Sequence, residues 1–193
     1  MRLTPENKKK ITNRIRAGAA EVFREQGFDA VNLDKLMKQA GLTRGAFYAH
    51  YRSKAALLSD VMQHEHPLLR MLEARDSASA EELFEQMLAI FDGYLDPANL
   101  DEVFRGCTLA ALTGDATRAE TKVKTAFGVA FEAICEEMAR EQNHNGAAYA
   151  PALVLASGAV RTAQAVEGDA LRINILSGAH QAFSTLLPKA AKE

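Results

Sequence analysis

Apolar residues recur at three- and four-residue steps along nearly the whole chain, and the strict alternation of a half-buried strand does not appear. That pattern restricts the fold to all-α architectures. Thr4 and Pro5 read as a cap and first helical residue, after which Ile11, Ile15, Ala19, Val22 and Phe23 mark one face of a helix. Gly27 is predicted to close it as a left-handed C-cap, with Phe28 folding back on the last turn. Asn32 caps a second, short helix with Leu33, Leu36, Met37 and Ala40 turned inward, and Gly41 lets the chain turn at positive φ. Thr43 caps a third helix. Ser53 caps a fourth, with Leu57, Leu58, Val61 and Met62 as its buried stripe and Pro67 as the residue that bends or ends it.

The remainder keeps the same rhythm. Ser77 to Ser79 form a linker, and Ser79 with Glu82 makes a capping box for a helix carrying Leu83, Met87, Ile90 and Phe91 inward, interrupted over Asp92 to Leu100. Thr117 with Glu120 is read as a second capping box. It opens a helix of about six turns through Val123, Phe127, Ala130, Phe131, Ile134 and Met138. Gln142 to Gly146 are a loop, Pro151 fits a first helical turn, and Asp169 is expected to cap a last helix over Ala170 to Leu187. There is no internal repeat.

Composition excludes several classes of function. With 48% apolar and 25% charged residues, the 193-residue chain has the make-up of a folded globular protein. Two cysteines, Cys107 and Cys135, are too few for a disulfide framework, and the basic start MRLTPENKKK has no apolar stretch behind it. The most apolar run, Ala152 to Val160, ends at Arg161, far short of a membrane span. A cytoplasmic protein without a membrane partner is expected. The net charge of −2 conceals a division: residues 1–54 hold 12 Lys/Arg against 5 Asp/Glu (+7), and residues 55–193 hold 11 against 20 (−9). A small basic lobe on an acidic body suits phosphate neutralisation by a nucleic-acid-binding module; a solvated basic face is the alternative.

Two short helices joined by a turn at Gly41, inside the basic lobe, are the parts of a helix-turn-helix. AAEVFREQGF (residues 19–28) and AGLTRGAFYAHYRSKAAL (residues 40–57) resemble the amino-terminal DNA-binding domain of TetR-family transcriptional regulators. The resemblance covers residues 11–58; beyond it the chain resembles the family in helical character and length alone. It implies an all-α protein with a DNA-binding domain over residues 1–52 and a helical effector-binding and dimerisation domain over 53–193.

On the third helix, Phe47 and Tyr51 share the core-facing side, which leaves Arg44, Ala46, Tyr48 and His50 toward DNA. Arg44 suits a guanine edge or a phosphate, Tyr48 a phosphate oxygen, and Gly45 a close approach to the sugar-phosphate wall. Lys54 joins a cation to a helix amino terminus and is expected to hold a phosphate. Asn32 and Thr43 are caps that the resemblance also brings to phosphates. His50 is either a base or phosphate contact or an exposed neutral imidazole.

The resemblance further implies a homodimer built by the last two helices on a palindromic site of double-stranded DNA, and a small-molecule effector. Small residues at 156–159 and 177–179 permit close helix packing, within a chain or between chains. Met62, Phe91, Phe104, Phe127 and Phe131 are candidate pocket walls or plain core. Cys107, after Arg105 and Gly106, is a reactive thiol of the kind some electrophile-sensing members carry, or a small buried hydrophobe. Cys135 reads as core.

No P-loop, dinucleotide fingerprint or nucleophile elbow occurs, and His64 and His66 are too close in sequence to share a helix face for a metal. No cofactor, metal or catalytic residue is expected. The function read from the sequence is a ligand-released repressor. Its rivals are a cysteine-based electrophile or redox sensor of the same class, a non-specific DNA-binding protein, and an enzyme on a helical scaffold.

Overall fold

A computed structural model describes residues 4–188, and among them every regular element is a helix. The chain forms two compact units, Met1–His66 with Ala111–Ala130 and Pro67–Ala110 with Phe131–Glu193.

The first unit is built on α1 (Pro5–Gln26), which buries Ile15, Ala19, Ala20, Val22 and Phe23. Thr4 Oγ1 accepts from the Asn7 amide at 3.3 Å, so the predicted cap forms. Gly27 ends the helix at φ +77 with ψ 161, and its N–H reaches the Phe23 carbonyl. The positive φ is as expected, but ψ is extended, not left-handed helical. Phe28 does fold back, its ring 5.5 Å from that of Phe23. Asn32 caps α2 (Leu33–Gln39) by accepting from the Lys35 amide at 2.9 Å. Leu36, Met37 and Ala40 are buried, whereas Leu33 at the helix start is only half-buried.

Then come α3 (Arg44–Phe47) and α4 (Lys54–His64). Ser53 accepts from the Ala56 amide at 3.0 Å, and Leu57, Leu58, Val61 and Met62 are almost fully buried. Burial of each of these side chains is worth about 2 kcal/mol. Helix α4 stops at His64, before Pro67.

The second unit starts with α5 (Pro67–Glu73), which Pro67 opens instead of bending α4. Ser79 caps α6 (Ala80–Leu95) by accepting from the Glu82 amide at 3.3 Å, but the Glu82 carboxylate goes to the Ser77 hydroxyl, whose oxygen accepts from the Ser79 amide at 3.0 Å. The box thus closes through one more residue than predicted. Helix α6 also continues through Gly93 to Leu95, because nothing breaks it before Asp96 and Pro97; Ile90 is half-buried, not core. The short helix α7 (Leu100–Gly106) follows, and then α8 (Thr108–Arg118), which from Ala111 onward is part of the first unit.

Thr117 sits within α8 and donates to the Gly114 carbonyl at 2.7 Å, so it cannot cap the next helix. That helix, α9 (Thr121–Met138), spans 18 residues, or five turns, and begins on the Glu120 carbonyl. Helices α10 (Ala150–Ala165) and α11 (Asp169–Leu186) pack together in the second unit. Pro151 lies in the first turn as expected. Gly168, at φ +92, is the N-cap of α11, and Asp169 is its first residue without a capping bond. Buried Arg75 stitches this unit together, donating to the carbonyls of Leu72 and Leu83 at 2.9 Å each and to that of Glu137.

Candidate nucleic-acid interface

The turn between α2 and α3 is set by Gly41 at φ +64, which a residue with a β-carbon resists. Its amide bonds the Lys38 carbonyl at 3.0 Å and the Leu42 amide that of Met37 at 2.8 Å. From α1, Arg14 donates to the Ala40 carbonyl at 2.8 Å, closing the end of α2. Regular α3 geometry covers one turn, and a further turn carries the chain to Tyr51, whose amide bonds the Phe47 carbonyl at 2.9 Å. Thr43 has the extended backbone of an N-cap but no side-chain capping bond.

This short element divides as its spacing predicts. Phe47 and Tyr51 are buried with ring centroids 5.8 Å apart. Tyr48 is 60% exposed and packs edge-on against Phe47, at 5.3 Å. Arg44, Gly45 and Thr43 are exposed, as is Asn32 across the turn; Ala46 is half-buried. A β-carbon on Gly45 would meet nothing within 4 Å. Arg44 holds Asp34 at 3.3 Å, with both side chains mostly in solvent. Such a pair is worth less than about 1 kcal/mol and exchanges readily for a phosphate or a base edge.

His50 and Lys54 are more engaged than the sequence suggests. His50 Nδ1 lies 2.8 Å from Thr12 Oγ1, whose own proton goes to the Lys8 carbonyl at 3.0 Å. The imidazole therefore donates from Nδ1, and its Nε2 is an acceptor while the ring is neutral. Burial, followed by the nearby charge of Lys8, lowers its pKa. The Lys54 ammonium lies 4.2 Å from the centroid of the Phe28 ring. Burial lowers its pKa, opposed by Asp29 and Asp115.

A polar network absent from the sequence reading fixes the far end of the turn. Tyr51 donates its hydroxyl to Asp60 of α4 at 2.5 Å. Arg16 of α1 reaches Asp60 at 3.6 Å and Glu65 at 2.8 Å, and His64 Nδ1 lies 2.9 Å from Asp60. Burial opposes the Arg16 charge, but the Glu65 hydrogen bond and the two carboxylates raise its pKa. Burial and the bond to Asp60 push Tyr51 well up. The signal available in the sequence was a tyrosine four residues past Phe47 followed by an acidic helix end.

In the second unit a cavity of about 500 Å³ is lined by Leu68, Met71, Ile90, Tyr94, Val103 and Cys107, among others. Of the candidate pocket residues, Cys107 alone lines it. Phe91 is core, its ring stacked at 4.5 Å on that of Phe183, and Met62 is fully buried in α4. Phe104, Phe127 and Phe131 are half-buried away from this lining. Cys107 Sγ accepts from the Tyr94 hydroxyl at 2.9 Å and from the Ala110 amide at 3.4 Å, at the start of α8. Burial, reinforced by Cys107, raises the Tyr94 pKa. Cys135 is buried, and desolvation pushes its thiol up to about 11. Among the described residues no cluster of His, Cys, Asp or Glu could hold a metal, and no helix is long and apolar enough to cross a membrane.

The family model describing bacterial regulatory proteins of the tetR family matches residues 15–61. The chain is similar to the uncharacterized HTH-type transcriptional regulator TtgW of Pseudomonas putida, 40% identical over 68 residues, covering 35% of this chain and 51% of that protein. It is also similar to the HTH-type transcriptional regulator SrpR of Pseudomonas putida, 38% identical over 68 residues, covering 35% and 32%. The chain thus spans about half the length of the first relative and about a third of the second. The solved structure of the reduced form of NemR from E. coli matches with a TM-score of 0.68 at 17% identity, over 95% of this chain and 100% of that one. A TetR-family transcriptional regulator from Cytophaga hutchinsonii matches at 0.65 and 17%, over 98% and 100%. These two likenesses are likenesses of fold.

Proposed function

We propose, from the match of residues 15–61 to the bacterial regulatory proteins of the tetR family, that the chain is a member of that family and a sequence-specific DNA-binding transcriptional regulator. It acts as a repressor that a small-molecule effector releases from its operator. The observation that carries this reading is the pairing of exposed Arg44 and Tyr48 with buried Phe47 and Tyr51 on one short element of a basic segment. Arg44 reads a base edge, and Tyr48, Thr43, Asn32 and Lys54 hold phosphates around it. Gly45 and Ala46 keep the helix close to the groove wall. His50 joins them when protonated, because its neutral Nε2 repels a phosphate oxygen.

The working form is a cytoplasmic homodimer joined through α10 and α11. A groove in the second unit lined by Val154, Gly158, Ala159, Ile175, Gly178 and Ala179 presents small side chains, with Val154 58% exposed. Residues 1–52 read DNA, and residues 53–193 dimerise and bind effector. The two-fold axis sets the recognition helices on successive major grooves. An effector releases DNA by binding better to the arrangement that no longer matches that spacing, with α4 as the lever.

The experiment is selection of bound duplexes from a random library at near-physiological salt, repeated with Arg44→Ala and Tyr48→Ala. A palindromic motif that weakens in both variants is the expected result. Enrichment of no motif overturns the reading in favour of charge-driven binding. A second reading, electrophile sensing, is favoured by one observation: two donors converge on Cys107 Sγ at the cavity wall, an arrangement that receives negative charge on sulfur. It predicts that a soft electrophile releases DNA from the wild type and not from Cys107→Ala.

A further inference from the structure

We propose that the cavity of the second unit takes a compact apolar amine, held by a protonated nitrogen at Glu102 and Asn99 with its apolar body against Leu68, Ile90 and Val103. The inference rests on the effector reading above for its role and adds the chemical class. The walls are mostly apolar, and the one charged side chain on them is a carboxylate. Tyr94 spends its hydroxyl proton on Cys107 Sγ at 2.9 Å, and Asn99 donates its Nδ2 to the Gly93 carbonyl at 3.1 Å. What Tyr94 keeps for a ligand is its acceptor oxygen, and Asn99 keeps Oδ1 together with one of its two Nδ2 hydrogens. Glu102, the one carboxylate on the lining, accepts only, and no Lys, Arg or His lines the cavity.

A lining whose single charge is a carboxylate and whose other polar atoms are mainly acceptors favours a cationic head made of donors, and an ammonium is donor on every hydrogen. A carboxylate or phosphate would meet Glu102 without a cation on the lining to offset it, and a polyol would bring more hydroxyls than the few polar atoms of the walls can satisfy. The arrangement also has a direction. Tyr94 and Cys107, 7% and 3% exposed, form the closed end, whereas Glu102 and Met71, the latter 53% exposed, stand toward solvent. The cation therefore stays at the wet end, where its desolvation is least, while the body displaces water from the apolar walls. The −9 balance of residues 55–193 draws cations toward this part of the chain.

The test compares three shape-matched probes, phenylbutylamine, phenylbutanol and phenylbutyrate, by calorimetry on the full chain at neutral pH and near-physiological salt. The amine should bind best and the acid worst. Glu102→Gln should weaken the amine by about fivefold, as for a partly exposed ion pair, and leave the alcohol unchanged. Val103→Phe, checked for folding by circular dichroism, should abolish binding of all three by filling the cavity. Binding of no probe, equal binding of amine and alcohol, or an amine preference that survives Glu102→Gln overturns the proposal. DNA release is read separately. Glu102-dependent amine binding without release upholds the cavity's chemistry and overturns the effector role, whereas probe-driven release that ignores Glu102 does the reverse.

Discussion

Arg16 in the first unit and Arg75 in the second are held in different ways. In the first, Arg16 and Arg44 face carboxylates, Asp60 and Glu65 in one case and Asp34 in the other, and Tyr51 joins the same network through Asp60. In the second, Arg75 is buried with its hydrogen bonds on the backbone carbonyls of Leu72, Leu83 and Glu137, and the Glu137 carboxylate stands farther off at 3.8 Å. Charged partners can be exchanged for phosphates or weakened by salt and pH; backbone carbonyls have no such substitute. The Arg16 network is thus open to salt and pH, and the hydrogen bonds of Arg75 are not.

The contrast can be broken most strongly at Arg75. Arg75→Ala removes three hydrogen bonds to these carbonyls and leaves an unfilled space where the buried side chain lay, and should destabilise the chain by about 3 kcal/mol or more, read by urea unfolding and little altered by salt. A loss under about 1 kcal/mol would show that the carbonyls find water and that this unit is not held by them. Asp60→Asn comes next. It keeps the shape but removes the charge facing Arg16 and His64, and should cost about 1–2 kcal/mol, with the loss shrinking in high salt. A salt-independent loss would erase the distinction between the units. Tyr51→Phe removes one hydroxyl from the same network. We expect about 1 kcal/mol of stability and a measurable loss of operator affinity, since the turn carrying Tyr48 loses its tie to α4.

The smallest expected effect is at His50. Its pKa is lower in the folded chain than the ordinary 6.5, so the unfolded chain binds the proton first as pH falls. Folding stability should therefore fall as pH drops below about 6.5 and level off below the folded pKa. His50→Gln should remove that part of the decline, measured by urea midpoints across the range. An identical profile in the variant would place the imidazole in solvent, outside the Thr12 contact.

What the sequence made readable was local. Asn32, Ser53 and Thr4 cap their helices because one oxygen and an amide three residues on decide the matter, and Phe47 with Tyr51 turn inward by spacing alone. Thr117 fails the same test for a reason no short pattern contains: α8 already holds it, and its hydroxyl is used at Gly114. Gly93 was read as a break, but inside α6 a glycine costs about 1 kcal/mol, which the packing of Phe91 and Tyr94 on either side readily offsets. The cavity was the least readable feature, since aromatic residues attract attention and this space exists where side chains are small, at Ala89, Gly93 and Gly106.

The sulfur of Cys107 is also a helix cap, and this makes the usual control for thiol chemistry unsafe. Serine at that position would offer the Ala110 amide and the Tyr94 hydroxyl a better acceptor than sulfur, and serine is among the strongest N-cap residues. Cys107→Ser would then tighten the α7–α8 junction while removing the nucleophile, and a chain that stopped responding could have been stiffened instead of disarmed. Alanine removes the thiol without adding a cap, so the behaviour of Cys107→Ala, and not that of Cys107→Ser, separates reactivity from rigidity.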